Sequence, residues 1–277
     1  MNSQDFQLLS TLVRERSGLV LTEDKVYLLE SRLVPLARRR GLNTLEDLAG
    51  ELRRTNDEKL KEDITEAMTT NETFFFRDNK PFDIFKENIL PHLLKARAGQ
   101  KTIRIWNAAC STGQEPYSLA MLLKEESAKL TGWRVEIMAT DISNEVLEKA
   151  KAGLYSQFEV QRGLPIQLLI KYFQQMGEMW QIDSSIRAMV KFEKLNLLDN
   201  LSRVGGFDVI FCRNVLIYFD NPTKAKVLNQ MRNILAKDGA LFLGGAETVL
   251  GICDDLKPIS GLKGVYTPAE NGILAAS

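Results

Sequence analysis

The stretch from Lys101 to Tyr117, Lys-Thr-Ile-Arg-Ile-Trp-Asn-Ala-Ala-Cys-Ser-Thr-Gly-Gln-Glu-Pro-Tyr, limits the fold more than any other part of the chain. Ile103, Ile105, Trp106 and Ala108 read as a short strand. Small residues and one glycine, Gly113, follow, and Glu115 and Pro116 then open the apolar helical run Tyr117 to Leu123. Proline suits the first turn of a helix because no amide proton is needed there. A strand, a tight turn and a helix start make half of a βαβ unit, in which the turn amides and the helix N-terminus can face a polar ligand. A dinucleotide fingerprint has three glycines, spaced so that a pyrophosphate can lie against the backbone. Here Ala108, Ala109, Cys110 and Ser111 stand where most of those glycines would be, so a smaller ligand across the turn is expected. From this stretch alone, an ordinary turn in a parallel sheet is the plain alternative.

At 277 residues with 44% hydrophobic content, the chain can build one large domain or two small ones around a real core. Lys plus Arg equal Asp plus Glu at 36 each, which weighs against a general nucleic-acid binder, since that needs a basic surplus to displace counterions. Cys110, Cys212 and Cys253 are too few and too widely spaced for a disulfide framework or a zinc site, and no metal is expected. The N-terminus lacks the pattern of a signal peptide, and no apolar run reaches membrane-spanning length, so a cytoplasmic protein is the expectation. The single histidine, His92, reads as a helix-surface or packing residue.

Residues 1–70 read as all-helical. Breaks are expected at Ser17-Gly18 and at Arg40-Gly41, with Thr22, Asn43-Thr44 and Asn56-Asp57 as helix starts. Arg32, Arg38, Arg39 and Arg40 make one helix of this block basic, either a solvated face or a surface for an acidic partner. Three consecutive phenylalanines, Phe74 to Phe76, cannot all share one helix face and suggest a linker enclosed on several sides. A helix from Pro81 to Ala96 follows. Later strands are expected at Trp133 to Thr140, Met189 to Leu195, Phe207 to Cys212, Ala240 to Gly244, Leu256 to Ile259 and Val265 to Thr267. The short link between the last two favours an antiparallel pair, because parallel strands need a long crossover. Residues 153–188 break the alternation and read as a small insertion. Its expected hairpin starts with Met179 to Ile182 and turns at Asp183-Ser184-Ser185. Asp141, at the end of the second strand, is placed to accept ribose hydroxyls, to cap the next helix, or to do both.

Three motifs carry a specific resemblance: Asn-x-Thr-x-Phe-Phe-Arg from Asn71, Ser-Thr-Gly-x-Glu-Pro-Tyr from Ser111, and Cys-Arg-Asn-Val-x-Ile-Tyr-Phe from Cys212. In this order, and over nearly the whole chain, they resemble the chemotaxis receptor methyltransferases, the CheR family. The resemblance implies an α/β fold with a Rossmann-like S-adenosylmethionine-dependent methyltransferase sheet. That sheet has a final antiparallel strand pair and a small inserted β-subdomain, and an all-helical domain precedes it. The implied division is a helical domain at 1–70, a linker and helix closing over the cofactor at 71–100, and a methyltransferase domain at 101–277 with its insertion at about 153–188.

The implied activity is esterification of glutamate side chains on chemoreceptor cytoplasmic helices, with S-adenosylhomocysteine as the other product. The family's cofactor positions fall on Asn71, Thr73, Arg77, Ala109, Glu115, Asp141, Asn196, Leu197, Asn214 and Val215. Arg77 and Tyr218 are the expected catalytic residues. Arg32, Arg38, Arg39 and Arg40 are the expected docking face for acidic receptor helices. Some family members also tether to a receptor C-terminal pentapeptide through the β-subdomain, but the link Gln174 to Glu178 looks short for that here. The expected protein is a monomer that binds no nucleic acid and does not insert into membranes.

The chemistry suits these residues. A glutamate has a reference pKa of about 4.3 and is already a nucleophile at neutral pH. No base is needed, and what remains is alignment, which contributes roughly 7–11 kcal/mol at its best. Among competing readings, DNA amino-methyltransferases need an Asn/Asp-Pro-Pro-Tyr/Phe turn where this chain has Arg213-Asn214-Val215-Leu216. Cytosine-C5 enzymes need a Pro-Cys pair, but Cys212 follows Phe211. The missing glycines disfavour a nicotinamide dehydrogenase. A non-catalytic docking module that senses S-adenosylmethionine is the remaining alternative.

Overall fold

The structure is a computed structural model that describes residues 1–271. Its contacts form two compact units, one of Met1–Thr70 with Tyr218–Lys224, the other of Asn71–Ile217 with the chain from Ala225 onward.

The first unit holds four helices, Ser3–Ser17, Val26–Arg39, Leu45–Thr55 and Glu58–Met68. Their ends follow the local chemistry. The Asn2 side chain accepts from the Asp5 N–H, and Gly18 ends the first helix at φ 79°. Thr44 forms a capping box with Asp47, and Asp57 accepts from the Lys59 N–H. Thr22 behaves differently from expectation. It precedes a 3₁₀ turn, Glu23–Lys25, and its side chain makes no capping bond. Leu9, Val13, Leu29, Leu33, Leu48, Leu60 and Ile64 are fully buried at the centre. The segment 218–224 joins this unit through the Val20 N–H, which donates to the Tyr218 carbonyl at 3.0 Å, and through Arg14, which pairs with Asp220 at 2.6 Å.

The second unit is built on two sheets. Its strands are β1 Thr102–Ala108, β2 Arg134–Asp141, β3 Leu154–Ser156, β4 Phe173–Met176, β5 Met179–Ile182, β6 Val190–Lys194, β7 Phe207–Cys212, β8 Leu235–Leu243, β9 Leu256–Pro258 and β10 Val265–Pro268. The large sheet runs β6-β2-β1-β7-β8-β10-β9. β1 lies parallel to both β2 and β7, while β10 is antiparallel to β8 and β9. The strand order therefore reverses at β1, and in open parallel sheets such a reversal marks the carboxyl strand ends, here those of β1, β2 and β7, as the ligand side. β7 is buried along its whole length, as a central parallel strand should be.

The inserted sheet runs β3-β5-β4. Its hairpin is β4–β5, turned at Gly177-Glu178, and not the expected turn at Asp183 to Ser185. Gly177 supplies the left-handed residue (φ 64°) that a two-residue hairpin turn requires. Asp183 instead caps the short helix Ser184–Arg187, accepting from the Ser185 N–H at 2.7 Å. The linker helix also departs from a plain α-helix. A π turn, Phe85–Ile89, separates Lys80–Ile84 from Leu90–Ala96, next to Pro91, which has no N–H for the Glu87 carbonyl.

Candidate active site

The turn after β1 is made by alternating left-handed residues, Ala109 (φ 57°), Ser111 (φ 51°) and Gly113 (φ 92°). A Cβ on Gly113 would lie 3.0 Å from the Ala150 Cβ and 3.2 Å from the Tyr155 hydroxyl, so the turn needs glycine there for space as well as conformation. The Cys110 N–H donates to the Thr140 carbonyl at 2.9 Å, and the Gly113 N–H to the Cys110 carbonyl at 3.1 Å. The Ser111 N–H donates to Asp141 Oδ2 at 2.8 Å. At these three positions the amides are engaged within the protein, two of them toward the end of β2 and one across the turn. Tyr155 props the turn from β3, its hydroxyl donating to the Thr112 carbonyl at 2.8 Å.

Glu115 sits in the first turn of the helix Gln114–Glu125, where the helix dipole favours negative charge. Its side chain accepts from Asn107 Nδ2 at 2.8 Å and pairs with Arg213 Nη1. Arg213 stands directly after β7 with its side chain 1% exposed. Its other terminal nitrogen donates to the Arg77 carbonyl at 3.1 Å and to Asp78 Oδ2 at 2.5 Å. One buried guanidinium thus joins the helix start to the linker that carries Arg77. Asn107 Oδ1, beside Glu115, is buried and has no hydrogen-bond partner within the protein. Sequence reasoning gave Arg213 no role, although a charged residue directly after an unbroken buried strand signals a paired internal charge.

Asp141 ends β2 and is buried. Besides the Ser111 amide it accepts from the Ser143 N–H at 3.1 Å. The helix cap belongs to Ser143, whose hydroxyl accepts from the Val146 N–H, so the capping alternative for Asp141 is set aside. The Asp141 carbonyl accepts from Leu195 at 3.0 Å, which places the turn with Asn196 and buried Leu197 next to the end of β2. Asn196 accepts from the Leu198 N–H at 3.0 Å.

After β7, Asn214 adopts φ 60°. Glu247 gathers four backbone donors around its carboxylate: Asn214 at 2.8 Å, Val215 at 2.9 Å, Ile217 at 3.2 Å and Gly244 at 2.6 Å. With their amides spent in this way, Asn214 and Val215 can meet a ligand only through side chains or carbonyls. Glu247 carried no sequence signal beyond its place after Gly244-Gly245.

The linker crosses the same edge. The Ser111 hydroxyl donates to the Asn71 carbonyl at 2.8 Å, and the Phe76 N–H donates to the Ser118 hydroxyl at 2.9 Å. Phe75 is buried edge-on against Tyr155 and Phe173, while Phe76 packs on Phe82. Phe74 meets Arg77 and Arg162. The three phenylalanines face three surroundings, as their spacing requires. Asn71 is exposed, and Thr73, Arg77 and Ala109 are half-buried.

Asn71, Thr73, Arg77, Ala109, Glu115, Asp141, Asn196, Leu197, Asn214 and Val215 all belong to the second unit. Tyr218 belongs to the first. In that unit Arg32 is engaged internally, donating to the Thr69 carbonyl at 2.9 Å and to the Thr70 hydroxyl at 2.9 Å. Arg40 pairs with Asp57 at 3.4 Å and Asp63 at 3.2 Å. Arg38 and Arg39 are exposed. Two members of the expected docking face therefore serve the helical unit's own packing.

Two family models match the chain. The CheR methyltransferase all-alpha domain covers residues 4–69, and the CheR methyltransferase SAM binding domain covers residues 71–265. Chemotaxis protein methyltransferase 1 of Pseudomonas aeruginosa is 41% identical over 270 residues, 96% of this chain and 98% of its own length. Chemotaxis protein methyltransferase Cher2 of Pseudomonas putida is 37% identical over 270 residues, with the same 96% and 98% coverage. A chemotaxis protein methyltransferase of Vibrio parahaemolyticus is 38% identical over 262 residues, 94% of each chain. With both domains matched in order and relatives aligned almost end to end, the chain is a member of the CheR methyltransferase family.

Proposed function

We propose that this protein transfers a methyl group from S-adenosylmethionine to glutamate side chains on the cytoplasmic helices of chemoreceptors, forming esters and S-adenosylhomocysteine. The observation that carries the reading is the Arg213 network, which ties Glu115 and the Arg77 linker together at the carboxyl edge of a matched SAM binding domain. The donor set fits the cofactor. Glu115 offers a carboxylate to an ammonium group, with the unpartnered Asn107 Oδ1 beside it. Asp141, at the neighbouring strand end, suits a ribose diol. When bound, S-adenosylmethionine supplies a sulfonium-activated methyl, so the acceptor oxygen gains the methyl, sulfur keeps the bonding pair and no proton moves.

The protein's part is placement. Arg77 orients the incoming carboxylate by a two-pronged contact. Asn71 and Thr73 close over the cofactor, and Ala109, Asn196, Leu197, Asn214 and Val215 line its place. Tyr218 is proposed to add a hydrogen bond beside the methyl, which Tyr218→Phe tests as a fall in kcat. Arg38 and Arg39 remain the proposed docking pair for acidic receptor helices. The proposed setting is the cytoplasm, and no described helix is long and apolar enough to cross a membrane. A non-catalytic sensing module finds no support among relatives named as methyltransferases.

The test is incubation with labelled S-adenosylmethionine and receptor cytoplasmic fragments, followed by a count of base-labile methyl. Label that is released by base as methanol and lost on Glu→Gln substitution in the fragment supports the reading. A cofactor-bound protein that transfers nothing contradicts it.

A further inference from the structure

Arg162, on the inserted subdomain, lies with its guanidinium carbon 4.4 Å from the Phe74 ring centroid. Arg77 lies 5.4 Å from the centroid of the same ring. The two cations are therefore no farther apart than the sum of those distances, and both are within cation–π range of one aromatic. Glu72 engages both. Its backbone carbonyl accepts from Arg77 at 2.9 Å, and its carboxylate pairs with Arg162 at 2.5 Å. Both members of that ion pair are accessible, with side chains 40% and 55% exposed for Arg162 and Glu72.

The next residue shows that the backbone carrying Arg162 is held in place. A Cβ on Gly163 would lie 2.1 Å from the Phe75 carbonyl oxygen, so the chain at Gly163 presses directly on the linker. Gly163 also has φ 84°, which favours glycine. Its contact therefore fixes the backbone next to Arg162 against the linker, independently of the ion pair.

From this geometry we infer that Arg162 is a second carboxylate-binding residue of the acceptor site. It takes an acidic side chain of the substrate near the glutamate that Arg77 orients, and Glu72 occupies it until substrate arrives. Acidic residues three or four positions apart on a helix stand about 5–6 Å apart at Cβ, so two guanidiniums around one ring suit a target glutamate with an acidic neighbour one turn away. The inference rests on the receptor-glutamate reading and deepens it.

An exchange of partners gives opposite signs for the two sides of the pair. Arg162→Gln removes the receiving cation and raises KM for a receptor cytoplasmic fragment about two- to fivefold, the range of partly exposed ion pairs. Glu72→Gln removes the internal competitor and lowers that KM by a similar factor. Both effects shrink at high salt. The Arg162→Gln penalty also disappears on a fragment whose acidic residue one turn from the target is changed to glutamine. Affinity for S-adenosylhomocysteine stays at the wild-type value in both variants.

A purely structural ion pair moves KM the same way in both variants, and that result overturns the inference. So does an Arg162→Gln penalty that persists on the neutralised fragment. If wild-type protein binds S-adenosylhomocysteine but methylates no fragment, the functional reading fails first and the inference falls with it.

Discussion

At the scale of single residues, the site depends on buried charges that each hold several partners. Arg213→Met would leave Glu115 buried without its cation, at a cost of about 3–5 kcal/mol, the range for breaking a buried pair. Denaturant unfolding should read that loss, and Arg213→Lys should keep more stability while still weakening S-adenosylhomocysteine binding, because one ammonium cannot span Glu115, the Arg77 carbonyl and Asp78. Glu247→Gln is expected to loosen the Asn214–Ile217 loop, since an amide turns a donor toward backbone N–H groups that need acceptors. The measurement is amide hydrogen exchange, which should accelerate at Asn214, Val215 and Ile217 and not in β1.

Burial pushes the thiols of Cys110 and Cys212 well above the usual range, with nearby carboxylates adding to the effect. Native protein should therefore alkylate slowly at both, and unfolded protein quickly. None of these roles was legible from residue type alone. Glu115 and Asp141 announced themselves by their place at strand and helix ends, whereas Arg213 and Glu247 act through partners far away in sequence. Which amides a carboxylate will gather is set by the fold and not by local spacing.

At the scale of elements, glycines show where two segments are forced together. Gly163→Ala meets both a left-handed backbone and the Phe75 carbonyl, and should cost roughly 2–5 kcal/mol. Gly177→Ala meets the backbone penalty alone, with nothing within 4 Å of its Cβ, and should cost about 1–2 kcal/mol. Equal losses in thermal denaturation would show that the Phe75 contact is slack. The same contrast explains what the chain disclosed before folding. β7 was readable because a central parallel strand is apolar throughout. The insertion was misread at Asp183 because Asp-Ser-Ser suits a helix cap as well as a hairpin turn, and only pairing of Met176 with Met179 decides between them. The π turn at Phe85–Ile89 leaves a signal, Pro91, but proline marks a break without saying which kind.

At the scale of the whole molecule, each unit carries its own electrostatic device. In the second, Arg97 bonds Asp208 at 2.9 Å and Asp238 at 2.7 Å, joining the linker helix to β7 and β8. The Arg97 bond holds the Asp238 carboxyl below its usual range. A carboxylate depressed in the folded state adds stability above its unfolded pKa and loses it as pH falls through the folded one. Stability should thus fall as pH drops below about 4, the ordinary aspartate value, and Asp238→Asn should flatten that decline. In the first unit, reversing charge at Arg38 and Arg39 should raise the receptor KM while cofactor affinity stays unchanged. A matching loss of cofactor binding would count against a docking role.

The family and the methyltransferase sheet could be read from three motifs because two of them follow β1 and β7 and the third is the linker that crosses the same edge. The internal use of Arg32 and Arg40 could not, since a basic helix face looks the same whether its partners are internal or external. The most direct test of the carboxyl-edge site is calorimetric titration with S-adenosylhomocysteine of wild type and Asp141→Ala. One site per chain in the wild type, weakened tenfold or more in the variant, is the predicted result. No binding by wild type, or equal affinity in both, would contradict the account.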